Sequence, residues 1–365
     1  MTLVAVEAIP YRLPTRRPVR FANGEVHQAE HVLVRLRTDD GRVGIGEASP
    51  RSMTYGDTAV GVAHAVRALI APHWIGEDET RIAFLHGKLK NLVWNPTARA
   101  ALDVALWDLL GQRCGLPIAQ LLGGAQERVA VAHLLGLDRP ESMAQEARRF
   151  WDELGVRAFK VKVGEDIDID VARATAVREA LGSEALLYLD ANHGWSASAS
   201  LTAISRMQDT GVDPAWVEEP CPARQQTMRQ WLVERLSIPV VGDESATDLE
   251  HARAELLARS CQWVSVKAGR SGFSEARRIA HLVHGFGGEV VVGSQIEGAL
   301  GVYANLHLAA GLEEASFYPA ELTASAAYVE DVVDPPPVVD GRMAVPTAPG
   351  LGVVIDEARL NALRL

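Results

Sequence analysis

From Leu3 to Leu13 apolar and polar residues alternate, the period-two pattern of a half-buried strand. The runs His31 to Thr38 and Arg42 to Glu47 repeat it, and Asp39-Asp40-Gly41 between them has the composition of a hairpin turn. An antiparallel meander therefore opens the chain. Helical spacing takes over from Asp57 to about Leu69, around Thr80 to Leu92, and from Pro96 to Leu110, where Ala101, Val104, Ala105 and Leu109 share a face. Residues 1–118 read as one α+β domain.

Beyond Gly123 short β-rich runs alternate with longer helical stretches. Their ends fall near Leu135, Val163, Asp190, Glu218, Asp243, Lys267 and Ser294, at separations of 28, 27, 28, 25, 24 and 27 residues. Each interval holds a strand, a helix and two loops. An unbroken rhythm of this unit suits a closed β/α barrel better than an open sheet, and the strands are apolar throughout because both their faces are covered. The expected barrel occupies 119–322. Residues 323–365 include Val332-Val-Asp-Pro-Pro-Pro-Val, too proline-rich for a central strand, and are expected to leave the barrel and return to the first domain.

Composition narrows the class. Apolar residues make up 48% and charged residues 23%, ordinary for a globular protein, and the net charge of −11 would repel a phosphate backbone. Nucleic acid is not an expected partner. No run approaches 18 apolar residues, so no membrane span is expected and a cytoplasmic location is. Cys114, Cys221 and Cys261 lie far apart and read as reduced packing residues.

The chemistry lies in what ends the strands: Lys160 and Lys162, then Asp190, Glu218, Asp243 and Lys267, with Glu297 just beyond the next run. Strand ends converge on one rim of a barrel, so residues about 25 apart in sequence become neighbours. Lys160 and Lys162, two apart, share the interior face, where crowding and burial are expected to lower a lysine pKa toward that of a base. Three carboxylates cannot share a dry site as anions without a cation. Oxygen-only ligands favour a hard ion, magnesium first and manganese second. Two other motifs compete poorly. His27-Gln-Ala-Glu30-His31 fits a zinc-peptidase pattern that requires a helix, yet it runs into a strand, and Gly44-Ile-Gly46 lacks the third glycine and the helix of a dinucleotide site.

These residues resemble the enolase superfamily, and within it the muconate-lactonizing subgroup of actinobacterial type. The matching motifs are Phe159-Lys160-Val-Lys162, Asp190-Ala-Asn192, Val217-Glu218-Glu219-Pro220, Asp243-Glu244-Ser245, Val266-Lys267 and Ile296-Glu297-Gly298. The resemblance spans essentially the whole chain. It implies a modified TIM barrel, (β/α)7β, with an α+β N-terminal capping domain. It also implies Asp190, Glu218 and Asp243 as magnesium ligands, Lys162 and Lys267 as acid/base groups on opposite faces of the substrate, and Lys160 as a catalytic cation neutralising the substrate carboxylate. The stabilised species would be an enediolate, whose charge is larger in the transition state than in the substrate.

In this family two cap loops set the substrate, here Phe21 to His27 and Pro50 to Tyr55. His27, Arg51, Tyr55, Asn192, Glu297 and Glu321 are the expected substrate-binding residues. Dipeptide epimerases carry Asp-x-Asp at the eighth strand, which Phe317-Tyr-Pro-Ala-Glu321 does not match, and Lys267-Ala-Gly-Arg270-Ser-Gly-Phe273 departs from relatives that more often have small residues there. The resemblance implies an isomerase, a cycloisomerase of cis,cis-muconate or a related dicarboxylate, active in aromatic catabolism as a homo-oligomer, dimer or octamer. The alternatives are an N-acyl amino acid racemase or epimerase, a dehydratase of a small hydroxy or imino acid, and a silent metal-binding scaffold.

Overall fold

The computed structural model describes every residue except Asn23 and Val93. Three antiparallel strands open it: β1 (Leu3–Phe21), β2 (Gly24–Thr38) and β3 (Val43–Ala48), in that spatial order. The turn expected at Asp39-Asp40-Gly41 is closed by the Thr38 N–H bond to the Arg42 carbonyl. The zinc-peptidase-like His27–His31 lies within β2, so its side chains alternate across a sheet and cannot share a helical face. Gly44 and Gly46 serve packing. A Cβ on either would stand 2.2 or 2.1 Å from the carbonyl oxygens of Ala105 and Ala101, so the pair lets β3 press onto the helix Pro96–Cys114.

Two expectations about this region change. The helix expected to end near Leu69 continues through a π turn, Ala65–Ile70, to Trp74. The segment Phe21 to His27 is the tip of the β1–β2 hairpin, with Phe21 opposite Gly24 and Val19 opposite Val26, and is not an open loop; Asn23 within it lies outside the described residues. Ladder pairing satisfies backbone groups that a loop would leave to water.

The parallel strands follow as β4 (Arg128–Leu135), β5 (Ala158–Lys162), β6 (Leu186–Asp190), β7 (Val217–Glu218), β8 (Val240–Gly242), β9 (Trp263–Val266) and β10 (Val290–Val292), each paired with its neighbour in chain order. An eighth, β11 (Ala320–Glu321), pairs with β4. The Ser294 N–H donates 3.0 Å to the Glu321 carboxylate and bridges β10 to β11. The result is a β/α barrel of the (β/α)7β kind beside an α+β N-terminal unit.

After the barrel a short hairpin, β12 (Val338–Val339) and β13 (Arg342–Ala344), pairs antiparallel with the start of β4. The chain then crosses to the first unit, where the Leu365 N–H donates to the Pro10 carbonyl. Among the described residues no helix is long and apolar enough to cross a membrane.

Candidate active site at the strand ends

Side chains alternate along a strand, and here the alternation builds a floor. Two residues before Lys160, Asp190, Glu218 and Asp243 stand Ala158, Tyr188, Trp216 and Val241, which form one buried apolar cluster inside the barrel. Tyr188 and Trp216 stack with ring centroids 4.3 Å apart. Phe159, Val161 and Val163 point outward into the larger core beneath the helices. The parallel ladder then sets Lys162 beside Asp190 and Asp190 beside Glu218, so the functional residues form a row one layer above the floor.

All of these groups are buried, and each charge is met. Lys160 Nζ lies 3.0 Å from Asp190, 2.8 Å from Glu218 and 3.0 Å from Glu321. Lys162 Nζ donates to Asp190 Oδ2 at 2.5 Å and to Asn192 Oδ1 at 2.6 Å. Across the ring Lys267 Nζ is 2.5 Å from Asp243 Oδ2, while Arg270 pairs with Asp243 Oδ1.

These contacts reverse one expectation. Burial does press the Lys160 and Lys267 pKa values down, but for Lys160 the carboxylates of Asp190, Glu218 and Glu321, and for Lys267 that of Asp243, outweigh it, so both ammonium groups are held above the ordinary lysine value. Crowding of two lysines is less important than four acids at contact distance. Asp190 and Asp243 show the reciprocal effect: burial raises them, and the paired cations pull them below the usual carboxylate range.

Glu218 differs. Burial, with Asp190 and Asp243 close by, pushes its carboxyl well up despite Lys160. Its Oε2 is buried with no hydrogen-bond partner among the described residues. An orphaned carboxylate oxygen costs free energy unless something binds it, and the donors around it are all oxygens. The set fits a hard divalent cation.

A cavity of 620 Å³ lies over this row, lined by Lys160, Lys162, Asp190, Asn192, Asp243 and Lys267 from the barrel and by Phe21, His27, Arg51, Met53 and Tyr55 from the first unit. His27 is 70% exposed at the rim, 3.5 Å from Glu25. Arg51 Nη2 reaches the Ile296 carbonyl at 2.6 Å. Tyr55 is pushed up by burial, against the pull of Lys267 and Arg270. Two expected lining residues stand elsewhere. Glu297 does not line this cavity: it turns back to the Gln295 N–H at 2.6 Å and Asn305 Nδ2 at 3.0 Å, where it braces its own loop. Glu321 lies behind Lys160, held also by Tyr188 Oη at 3.1 Å.

Residues 142–359 match the family model "Enolase C-terminal domain-like", and residues 5–123 match "Mandelate racemase / muconate lactonizing enzyme, N-terminal domain". The chain belongs to the enolase superfamily, in the branch that these two domains define. Superposed on a muconate lactonizing enzyme of Mycobacterium smegmatis complexed with muconolactone, it gives a TM-score of 0.98 at 40% identity, over 100% of both chains. It is also 32% identical to an L-Ala-D/L-Glu epimerase of Bacillus subtilis, over 97% of each chain. An N-succinyl-L-Arg/Lys racemase of Bacillus cereus is 29% identical over 100% of this chain and 98% of its own.

Glu219 and Glu244, which directly follow the strand-end acids Glu218 and Asp243, have no role in the sequence-based expectation. Glu219 is fully buried and accepts the Asp243 N–H at 2.7 Å and the Ser245 N–H at 2.8 Å. Glu244 accepts from Asn192 Nδ2 at 3.1 Å and lies 3.3 Å from His193 Nε2. The signal was there in the tandem acids Glu218-Glu219 and Asp243-Glu244.

Proposed function

We propose that the chain is a magnesium-dependent cycloisomerase of cis,cis-muconate or a closely related dicarboxylate. The observation that carries this reading is the placement of Lys162 and Lys267. They stand on β5 and at the end of β9, four strands apart in an eight-strand ring, and both face the cavity with the acids Asp190, Glu218 and Asp243 on the arc between them.

Asp190, Glu218 and Asp243 would hold magnesium, which supplies Lewis-acid stabilisation of charge on a substrate carboxylate. The remaining work falls to the chain's own groups. One substrate carboxylate adds to the conjugated double bond, forming the lactone C–O bond and moving an electron pair onto the other carboxylate as an enediolate. An ammonium then delivers a proton to the carbon beside that carboxylate. Lys160 offsets charge there, and Lys162 or Lys267, one on each face, is the donor. The cap residues His27, Arg51 and Tyr55, with Asn192, position the second carboxylate and exclude water.

Charge supports a dianion. The ion-pair network joins four acids, Asp190, Glu218, Asp243 and Glu321, to four cations, Lys160, Lys162, Lys267 and Arg270, so it is formally neutral. Adding a divalent cation leaves two positive charges for the substrate to balance. The likeness to a lactonizing enzyme over its full length supports the same choice.

The second reading, racemisation or epimerisation of an acylated amino acid or dipeptide, draws on the epimerase and racemase relatives. Against a dipeptide, Glu321 is engaged by Lys160, Tyr188 and Ser294, and Thr323 Oγ1 is hydrogen-bonded to His133, so the eighth strand offers no free carboxylate for an ammonium group. Assembly as a homo-oligomer belongs to the same proposal. Loss of muconate ultraviolet absorbance with purified protein and magnesium tests the leading reading. No loss, together with deuterium uptake at an amino-acid α-carbon, would replace it by the second.

A further inference from the structure

We infer that His193, Glu219 and Glu244 form a second divalent-cation site beside the acids proposed to hold magnesium. Glu219 and Glu244 directly follow Glu218 and Asp243, just beyond the ends of β7 and β8, and His193 stands in the loop after β6. Asp243 and Glu244 both line the cavity over the barrel, and Glu219 lies fully buried next to them. One ring nitrogen of His193 and one carboxylate oxygen of each glutamate lie within 4.8 Å of one another.

The orphaned oxygens point to a ligand. Glu219 is fully buried, and while Oε1 takes the N–H groups of Asp243 and Ser245 and the Ser245 hydroxyl, Oε2 has no hydrogen-bond partner among the described residues. It stands 3.9 Å from His193 Nδ1. The Glu244 side chain is 7% exposed, and its Oε2 is likewise buried without a partner. Two unfilled carboxylate oxygens, on two glutamates that both border one imidazole, are costly unless a cation joins them.

The histidine is set for ligation. Its Nδ1 stands 3.9 Å from Glu219 and its Nε2 3.3 Å from Glu244, so each ring nitrogen faces one of the two glutamates. The Ala223 N–H, 3.2 Å from Nδ1, is the contact the ion would displace. A cation at roughly 2.1 Å from each atom spans the gap between Nδ1 and Glu219 Oε2. One imidazole with two carboxylates selects manganese or zinc over magnesium. Such an ion would tie the loop after β6 to the ends of β7 and β8, the three places that carry Asp190, Glu218 and Asp243.

The test is ion stoichiometry on the full chain, stripped of metal and dialysed against Mn²⁺. Two ions per chain are expected for the native protein and one each for His193→Gln and Glu218→Gln. Zn²⁺ is expected to fill the His193 site first. Electron paramagnetic resonance of the doubly loaded protein should show manganese–manganese broadening that either variant abolishes. One ion in the native protein that survives His193→Gln, or two retained in a folded His193→Gln, overturns the second site. A single native ion that is lost in His193→Gln and kept in Glu218→Gln would instead count against the magnesium assignment, so the two failures are distinct. An elevated His193 pKa by NMR with no second ion would assign the cluster to a protonated imidazole and end the proposal.

Discussion

Arg51 and Ile296 lie 245 positions apart in the chain, yet Arg51 Nη2 donates a 2.6 Å hydrogen bond to the Ile296 carbonyl. The contact ties the 50–55 segment of the first unit to the loop after β10. Ile296 itself sits at φ 55°, a left-handed conformation that a β-branched residue rarely adopts, and its carbonyl also takes the Tyr328 hydroxyl at 2.5 Å. The loop is held in a strained form by the groups it receives.

Removing that tie should loosen the cavity's roof without touching the proton donors. Arg51→Ala is expected to raise KM for the carboxylate substrate about tenfold and to lower kcat less. Steady-state kinetics at saturating magnesium decide it; an unchanged KM would remove Arg51 from substrate positioning.

The two lysines should separate by function. If one is the proton donor, its replacement by alanine should cost on the order of 10²–10⁴ in kcat, the usual worth of a positioned general acid, while replacement of the other costs less. Lys162→Ala and Lys267→Ala, followed in deuterated buffer, would also report the face that receives the proton. Retained turnover in the double variant would exclude both.

Glu218→Gln should weaken magnesium more than it weakens the fold. The substitution keeps the shape but leaves a neutral amide where an anion with an unfilled oxygen stood. At least a tenfold rise in the magnesium concentration for half-maximal activity is expected, with the melting temperature of the metal-free protein unchanged or raised, because burial and the neighbouring acids already oppose charge on this carboxyl.

Much of the architecture was legible in the chain because barrel strands and helices impose their own periods. The 24- to 28-residue rhythm placed the strand ends, and Asp190, Glu218, Asp243 and Lys267 stand at or one residue beyond ends in the structure. Partnership was not legible. Nothing local in Lys267 to Phe273 says that Arg270 is fully buried against Asp243, or that Glu297 turns away from the cavity to brace Asn305. Such contacts depend on register between strands and on loops that close only in three dimensions. The lysine pKa direction failed for the same reason: same-strand neighbours are visible in sequence, and facing carboxylates are not.

Gly350 predicts a stability effect remote from the site. It has φ +73°, and a Cβ there would stand 2.0 Å from Asp108 Oδ1, the atom that accepts the Leu351 N–H at 2.8 Å. Asp108 also takes the Ile45 N–H at 2.9 Å, so it ties the end of the chain to β3. Gly350→Ala should destabilise by about 2–4 kcal/mol, from backbone strain together with a displaced buried acceptor. Urea unfolding measures it, and a change under 1 kcal/mol would mean that the turn relaxes freely.

His307 gives the stability a defined acid dependence. It is buried on the helix Ala299–Gly311, where Nδ1 accepts the Ala119 N–H at 3.2 Å and Nε2 meets the Leu351 carbonyl at 3.1 Å. The Nδ1 contact requires the neutral ring, and burial pushes its pKa down from 6.5 to about 4. A folded-state value below the unfolded one means that protons prefer the unfolded chain. The contribution is therefore complete above pH 6.5 and is lost as the pH falls through about 4. A shift of this size corresponds to about 3 kcal/mol. His307→Gln keeps a donor and an acceptor but cannot titrate, so the native-minus-variant difference in unfolding free energy should fall by that amount between pH 7 and pH 4, with every other titrating group cancelling. A difference that stays flat over this range would show that His307 does not charge on unfolding.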